Sequence, residues 1–265
     1  MTDSVLHIQS TGQGQDLLLL HGWAMHSGFF DSVTALLSRH FRVHQVDIPG
    51  HGLSRDYPEG YLVEDLASEI RSALAPRISG KAIYLGWSLG GVIASLMAAH
   101  EGRAVAGLIL VASNPCFVQK VDWPHGIAER VLQEFANNLL TEYEKTLLRF
   151  LSLQMRGADN ERELLRQLRN QIRSVKPPQR NVLTGGLEIL RQCDHRMLLK
   201  QLKLPVLLLG GQKDTLVPVA ALQSTAAPST NISVSIWKTA GHAPFLSDPQ
   251  QFANEIKIFA ERMNV

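Results

Sequence analysis

A serine stands between two glycines in Gly86-Trp87-Ser88-Leu89-Gly90, directly after the apolar run 82–85. A hydroxyl is a weak nucleophile until a neighbouring base takes its proton, and the base works best when a third group orients it. Both partners follow downstream, in the order serine, acid, base. Asp214 lies in GGQKDTLVP after the apolar run 205–209, where a loop leaving a strand can aim a carboxylate. His242 lies in TAGHAPFLSDP, past the run ending at Trp237 and before the last helical pattern. Of ten histidines it alone combines a small-residue loop, a place after the last strand and the required order. Asp194 and Asp248 fit less well, the first preceding the strand that must deliver the acid and the second following His242. Each residue has a plainer reading: a glycine-rich turn capped by serine, a helix-cap or turn aspartate, a hydrogen-bonded loop histidine. Their joint order is what points to acyl transfer.

The glycines have a physical job if Ser88 is a nucleophile. A sharp strand-to-helix turn strains the backbone, and side chains two residues either side would collide with neighbouring elements. The following helix aims its N-terminus at the site, which favours developing negative charge. Acyl transfer also needs donors for the oxyanion of the tetrahedral intermediate. His21-Gly22-Trp23 follows an early apolar run, and the backbone N–H groups of Trp23 and Leu89 are assigned as that oxyanion hole, with His21 structural. Asp47, in VDIPGHGLS, ends a strand before a turn and reads as a structural Asx-type residue rather than the acid of the triad.

These residues need a scaffold that brings distant loops together. Apolar runs at 17–20, 41–46, 82–85, 105–111, 206–209 and 232–237 suit strands of a mostly parallel sheet buried on both faces. Helical patterns lie between them, near 29–39, 63–75, 89–100, 218–226 and 249–262. From 118 to 190 no strand is expected; helical segments near 126–140, 142–155, 159–174 and 179–190 fill the interval, broken by Pro177-Pro178. The expected class is α/β, a central sheet flanked by helices, with residues 1–117 and 191–265 as core and 118–190 as a helical lid insertion.

With 265 residues, 45% of them hydrophobic and 19% charged, the chain can bury one large α/β core without disulfides. Cys116 and Cys193 are far apart and sit in no metal-ligand spacing, so they read as free thiols of a reducing compartment. MTDSVLHIQS has neither a basic n-region nor a long apolar h-region, and no window approaches the roughly 18 apolar residues of a membrane span. A cytoplasmic protein is expected, with no membrane attachment. A net charge of +2 argues for no nucleic-acid partner. The proposed chemistry requires no metal or organic cofactor.

The set HGW, VDIPGHGLS, GWSLGG, GGQKDTLVP and GHAPFLSDP resembles the α/β-hydrolase superfamily across essentially the whole chain. More narrowly, LGWSLGG, ASNPCF, ERVLQEFANNLLTEYEKTLLRFLSLQ, LTGGLEIL and HAPFLSDP resemble the carboxylesterases of biotin biosynthesis that act on pimeloyl-(acyl-carrier protein) methyl ester. That resemblance implies a monomer releasing methanol and a free carboxylate from a carrier-bound pimeloyl chain. Ser88, Asp214 and His242 would form the triad, Trp23 and Leu89 would contact the ester, and the substrate run would be Phe150, Leu151, Ser152, Leu153 and Gln154. Lys145, Arg149, Arg162 and Arg166 would grip the acyl-carrier protein, with lysine at 145 departing from the family's arginine. An ammonium there offers a point charge instead of a bidentate contact.

The residues meet this independently. Between 156 and 180 there are seven basic residues against three acidic ones, and Arg162, Arg166, Arg169 and Arg173 share one helix face. Such a stripe can steer an acidic partner; the alternative is a solvated face paired locally with Asp159, Glu161 or Glu163. Phe117, Phe150, Leu151 and Leu153 could equally be core or acyl pocket. Two rival functions stand beside this reading. One is a general short-chain esterase, lipase or C–C bond hydrolase of the same fold, which would process free substrates as well as carrier-bound ones. The other is a non-catalytic binding protein, which would not label with a serine-reactive phosphonate. Ser88 at the elbow disfavours a haloalkane dehalogenase, whose chemistry wants a carboxylate there.

Overall fold

The computed structural model describes residues 6–57, 59–155 and 161–263. The chain runs β1 (Ile8–Thr11), β2 (Gln15–Leu20), α1 (Asp31–Leu37), β3 (Phe41–Val46), α2 (Val63–Leu74), β4 (Ala82–Trp87), α3 (Leu89–Glu101) and β5 (Val105–Val111). Four consecutive helices follow, α4 (Glu129–Thr141), α5 (Tyr143–Met155), α6 (Glu161–Ser174) and α7 (Arg180–Gln192). The chain then returns through α8 (Arg196–Gln201), β6 (Val206–Gly211), α9 (Val219–Ala226), β7 (Ile232–Trp237), α10 (Pro244–Ser247) and α11 (Pro249–Met263).

The strands form one sheet in the order β1-β3-β2-β4-β5-β6-β7, parallel except for β1, which runs antiparallel to β3. Leu17, Leu18, Leu19 and Leu20 of β2 and every residue of β4 are buried, because helices cover both faces of the parallel sheet. α3 is buried from Leu89 to Ala98, and its sequence is accordingly apolar all round, whereas α2 buries one face through Leu66, Ile70 and Leu74. The loops after β2, β4, β6 and β7 all leave the carboxyl edge of the sheet, where open α/β sheets place their ligands. Those loops carry Trp23, Ser88, Asp214 and His242.

The elements differ from expectation in four places. β1, with the polar sequence IQST, is an exposed edge strand and has no apolar run to announce it. The short helices α8 and α10 hold six and four residues, too few to show a period. The helix expected from 126 begins at Glu129. Before it, Val118 pairs with Ile127 and Lys120 with Trp123, and the Trp123 Nε1–H donates to the Cys116 carbonyl at 2.8 Å. The stretch expected as one helix over 29–39 divides into a 3-10 turn at Ser27–Phe30 and the shorter α1.

A buried charge ties the edge strand to the sheet. Arg42 donates to both Asp16 carboxylate oxygens at 2.6 and 3.0 Å, His44 Nε2 lies 2.8 Å from the same group, and the Ser79 N–H donates at 3.0 Å. His44 Nδ1 in turn meets Ser10 Oγ of β1 at 2.8 Å. Burial pushes the Asp16 carboxyl up, but Arg42, His44 and the Ser79 N–H outweigh it and hold it at about 2. A carboxyl depressed in the folded state contributes stability above its unfolded value of 3.8 and loses it as pH falls through the folded value. Asp16→Asn is therefore expected to lose about 2 kcal/mol in urea unfolding near neutral pH. The deficit relative to wild type should shrink as pH is lowered from 3.8 towards 2.

Candidate active site

Ser88 occupies the turn from β4 into α3 with φ 53° and ψ −116°. A positive φ in a residue other than glycine costs about 1–3 kcal/mol and persists only where the surroundings impose it. Here the Ser88 N–H donates to the Val111 carbonyl at 3.0 Å, and the Ser88 carbonyl accepts from the Gly91 N–H at 2.9 Å and from Ser113 Oγ at 2.8 Å. A Cβ on Gly86 would run into the backbone of Gly90, and one on Gly90 into the carbonyls of Leu20 and His21. The two glycines of the pentapeptide are thus required by close backbone packing.

Asp214 and His242 meet below the surface, their side chains 0% and 1% exposed. Asp214 Oδ1 accepts the N–H groups of Leu216 and Val217 at 2.8 and 3.0 Å, which leaves Oδ2 to accept the His242 Nδ1–H at 2.9 Å. With Nδ1 as donor, Nε2 carries the lone pair. That nitrogen is buried and has no hydrogen-bond partner among the described residues. Trp87, adjacent to Ser88, donates its Nε1–H to the His242 carbonyl at 2.8 Å, and its ring lies 5.9 Å from the imidazole. The histidine loop is therefore held against the residue next to the elbow serine. An unpartnered imidazole nitrogen backed by a buried carboxylate can accept a hydroxyl proton and hold the resulting charge.

Trp23 and Leu89 flank the serine turn from two sides. Leu89 opens α3, so its N–H belongs to the helix-start donors that lack an intrahelical acceptor. Trp23 follows the end of β2; Gly22 beside it packs against the Trp87 ring and Ser88 Cβ. His21 accepts the Ile48 N–H on Nε2 at 3.0 Å and donates Nδ1–H to the Gly22 carbonyl at 2.8 Å; burial lowers its pKa to about 4, so it stays a neutral strut. Asp47 accepts the Ser27 and Leu53 N–H groups at 2.6 and 2.8 Å and ties two loops together.

Ser88 opens into a cavity of about 590 Å3, its mouth included. The walls are Trp23, Phe117, Ile127, Val131, Leu132, Phe135, Phe150, Leu187, Leu190 and Leu216, contributed largely by α4, α5 and α7. An apolar chain can fill such a space without stranding polar groups, and among the described lining residues Ser88 presents the one hydroxyl. Phe150, named in the substrate run, stands in this wall, edge-on to Trp23 with ring centroids 5.1 Å apart. Ser152 is not among the lining residues described and spends its hydroxyl on the Leu148 carbonyl at 2.9 Å in its own helix. The side chains of Leu151, Leu153 and Gln154 lie outside the described residues.

The basic residues are exposed on α5 and α6. Lys145 pairs with Glu142 at 2.9 Å and Arg166 with Glu163 at 2.8 Å, the local pairing weighed for a solvated face. Arg149 and Arg162 are exposed without an ion pair among the described residues; Arg169 is also exposed. The side chains of Arg173 and Glu161, and Asp159 as a whole, lie outside the described residues. Sequence reasoning missed Trp87 and Ser113, which fix His242 and Ser88, and the wall residues of α4 and α7. Trp87 lies inside the serine pentapeptide; Ser113, two residues beyond β5, carries no local signal. Among the described residues no three His, Cys, Asp or Glu side chains gather as metal ligands would, and no helix is long and apolar enough to cross a membrane.

A model of the alpha/beta hydrolase fold matches residues 17–249. The chain is 42% identical to the pimeloyl-(acyl-carrier protein) methyl ester esterase of Nitrosomonas europaea, over 94% of this chain and 97% of that one. It is 42% identical to the esterase of the same name from Yersinia pseudotuberculosis over 97% of both chains, and 39% identical to that of Xylella fastidiosa over 96% and 98%. Among solved structures, an esterase from Exiguobacterium antarcticum superposes with a TM-score of 0.88 at 22% identity, covering 97% and 95% of the two chains, a likeness of fold. An esterase from a Rhodococcus species does so at 0.80 and 26%, over 97% and 95%. The chain belongs to the alpha/beta hydrolase fold family and, within it, to the family of the pimeloyl-(acyl-carrier protein) methyl ester esterases.

The Asp214–His242 geometry generates a test. Asp214→Asn should keep the Leu216 and Val217 contacts but offer an amide N–H where Oδ2 now accepts, turning the imidazole to the wrong tautomer. Ester turnover should fall by about 10³–10⁴-fold with the melting temperature nearly unchanged; a variant that keeps wild-type turnover would deny Asp214 that part.

Proposed function

We propose that the protein is a serine carboxylesterase that hydrolyses the methyl ester of pimeloyl-(acyl-carrier protein), releasing methanol and the free ω-carboxylate. The observation that carries the chemistry is the buried, unpartnered His242 Nε2 with Asp214 behind it and the strained Ser88 turn beside it. The substrate is carried over from the names of the relatives, which match along nearly their whole length.

Ser88 Oγ attacks the ester carbonyl as His242 Nε2 takes its proton, and Asp214 stabilises the imidazolium. The carbonyl oxygen becomes an oxyanion accepted by the Trp23 and Leu89 N–H groups. The tetrahedral intermediate collapses, the C–O bond to methoxide breaks, and His242 returns the proton so that methanol leaves. Water then attacks the acyl-enzyme, giving its proton to His242, and Ser88 is regenerated as the free carboxylate departs. The apolar wall around Ser88 accommodates the methylene chain and keeps competing water away. Residues 118–190 act as the lid over the site, their last helix running on to Gln192. The carrier protein docks by its phosphate and acidic side chains on Lys145, Arg149, Arg162 and Arg166, which lie on two helices of that lid. The enzyme works as a monomer in the cytoplasm, where Cys116 and Cys193 stay reduced.

A general esterase is the second reading, favoured by the local pairing of Lys145 and Arg166, which a merely solvated face would also show. Comparing kcat/KM for the carrier-bound methyl ester and a free short-chain ester at low and high salt separates them. The proposal expects a strong preference for the carrier substrate that fades with salt, because exposed ionic contacts are screened. Equal rates insensitive to salt would retain the nucleophile and remove the carrier. Ser88→Ala should fold normally and lose about 10³–10⁶ of the turnover of either substrate.

A further inference from the structure

Trp23 is held at two levels. Its backbone N–H belongs to the oxyanion hole proposed above, while its indole is gripped by the helices that form the lid. Nε1–H donates to the Leu183 carbonyl of α7 at 2.9 Å, and the ring meets Phe135 of α4 and Phe150 of α5 edge-on at 5.4 and 5.1 Å. The next residue, Ala24, is forced to φ 62°, and its N–H donates to His51 Nε2 at 3.3 Å. His51 is fully buried and neutral, its pKa lowered to about 3 by that burial, so Nε2 keeps the lone pair that Ala24 requires. With Nε2 accepting, Nδ1 carries the proton and is shared between the Tyr61 hydroxyl at 3.2 Å and the Pro49 carbonyl at 3.3 Å, and the same hydroxyl donates to that carbonyl at 2.8 Å, so the three close into one cluster. Tyr61 itself has φ 48°. Two strained residues are thus joined through one imidazole.

Helix α7 touches both ends of this relay. A Cβ on Gly186 would lie 2.7 Å from Trp23 Cδ1, and one on Gly185 would lie 2.8 Å from Tyr61 Cβ. Neither glycine has a left-handed backbone, so close approach is their use. Glycine within a helix costs about 1 kcal/mol relative to alanine, and here two stand together in LTGGLEIL, a motif the chemistry leaves unexplained. We propose that α7 positions the oxyanion loop: Gly186 seats the helix on the Trp23 indole, Gly185 seats it on Tyr61, and Tyr61 through His51 fixes the Ala24 peptide, so that together they place the Trp23 N–H. The inference rests on the assignment of that N–H to the oxyanion hole. It follows that an acyl chain filling the cavity against Phe135 and Phe150 bears on the same indole, so pocket occupancy and the oxyanion donor are mechanically linked. Tyr61, His51, Gly185 and Gly186 are positioning residues; none touches the reacting atoms.

Three single variants and one double variant test this on a free nitrophenyl ester, which needs no carrier. Tyr61→Phe removes the relay's hydroxyl without adding volume, and kcat should fall by about tenfold with KM and the melting temperature nearly unchanged, as a small misplacement of a donor does. Gly186→Ala should lower kcat more, by roughly tenfold to a hundredfold, although alanine favours the helix. Trp23→Phe, which removes the Nε1–H that holds the indole to the Leu183 carbonyl of α7 while keeping the backbone N–H, acts through the same helix–indole contact, so the two changes should be non-additive, the double variant losing less than the product of the singles. If Gly186→Ala does not fold, Tyr61→Phe decides alone. Wild-type kcat in Tyr61→Phe, or strict additivity of the Gly186 and Trp23 changes, overturns the inference. Persistence of turnover in Ser88→Ala would instead overturn the assignment of the nucleophile, and the same assay distinguishes the two failures.

Discussion

The backbone of Ser88 is strained at positive φ, and much of the surrounding structure holds it there. A residue with φ 53° in place of glycine survives because β4 and β5 lie side by side, delivering the Val111 carbonyl to the Ser88 N–H and Ser113 Oγ to the Ser88 carbonyl. The same turn leaves room only for glycine at 86 and 90. Its product is a hydroxyl presented outside the sheet edge at the start of a buried helix, with the positive end of that helix behind it.

Around this turn the sheet order does the gathering. β2, β4, β6 and β7 end on one edge, and from them hang the Trp23 loop, Ser88, Asp214 and His242. Asp214 spends one oxygen on its own loop and the other on His242, so the ring cannot rotate without losing a buried contact. Trp87 closes the arrangement by holding the histidine backbone. Buried His21, His51 and Asp47 spend their side-chain polar atoms on hydrogen bonds, whereas His242 Nε2 has no partner among the described residues. That free nitrogen sets His242 apart from His21 and His51, and it is what the proposed base requires.

What could be read in the chain follows from which interactions are local. β2, β4, β5 and β6 stand out as apolar runs because the middle of a parallel sheet is buried on both faces, and the serine pentapeptide carries its own geometry in its glycines. β1 escaped because an edge strand need not be apolar, and the turn before α4 escaped because its two isolated bridges, Val118 with Ile127 and Lys120 with Trp123, are too short to leave a period in the sequence. The cavity wall was legible only in part. Phe150 was anticipated, but Phe135, Leu132 and Leu187 lie on amphipathic helices whose apolar faces could equally have met the core, and nothing local distinguishes the two. Trp87 and Ser113 act across 155 and 25 residues, beyond the reach of any window. The glycine pair of α7 was visible as a motif, yet its purpose appears only when Trp23 and Tyr61 are found beneath it.

The covalent intermediate is the most direct measurement. Wild-type protein quenched within milliseconds of mixing with a nitrophenyl ester should gain one acyl group by intact mass, mapped to the peptide containing Ser88. A His242→Ala variant, deprived of the base for both steps, should show neither the adduct nor turnover on that timescale. Turnover without any adduct, or an adduct on another residue, would contradict acyl-enzyme chemistry at the Ser88 turn.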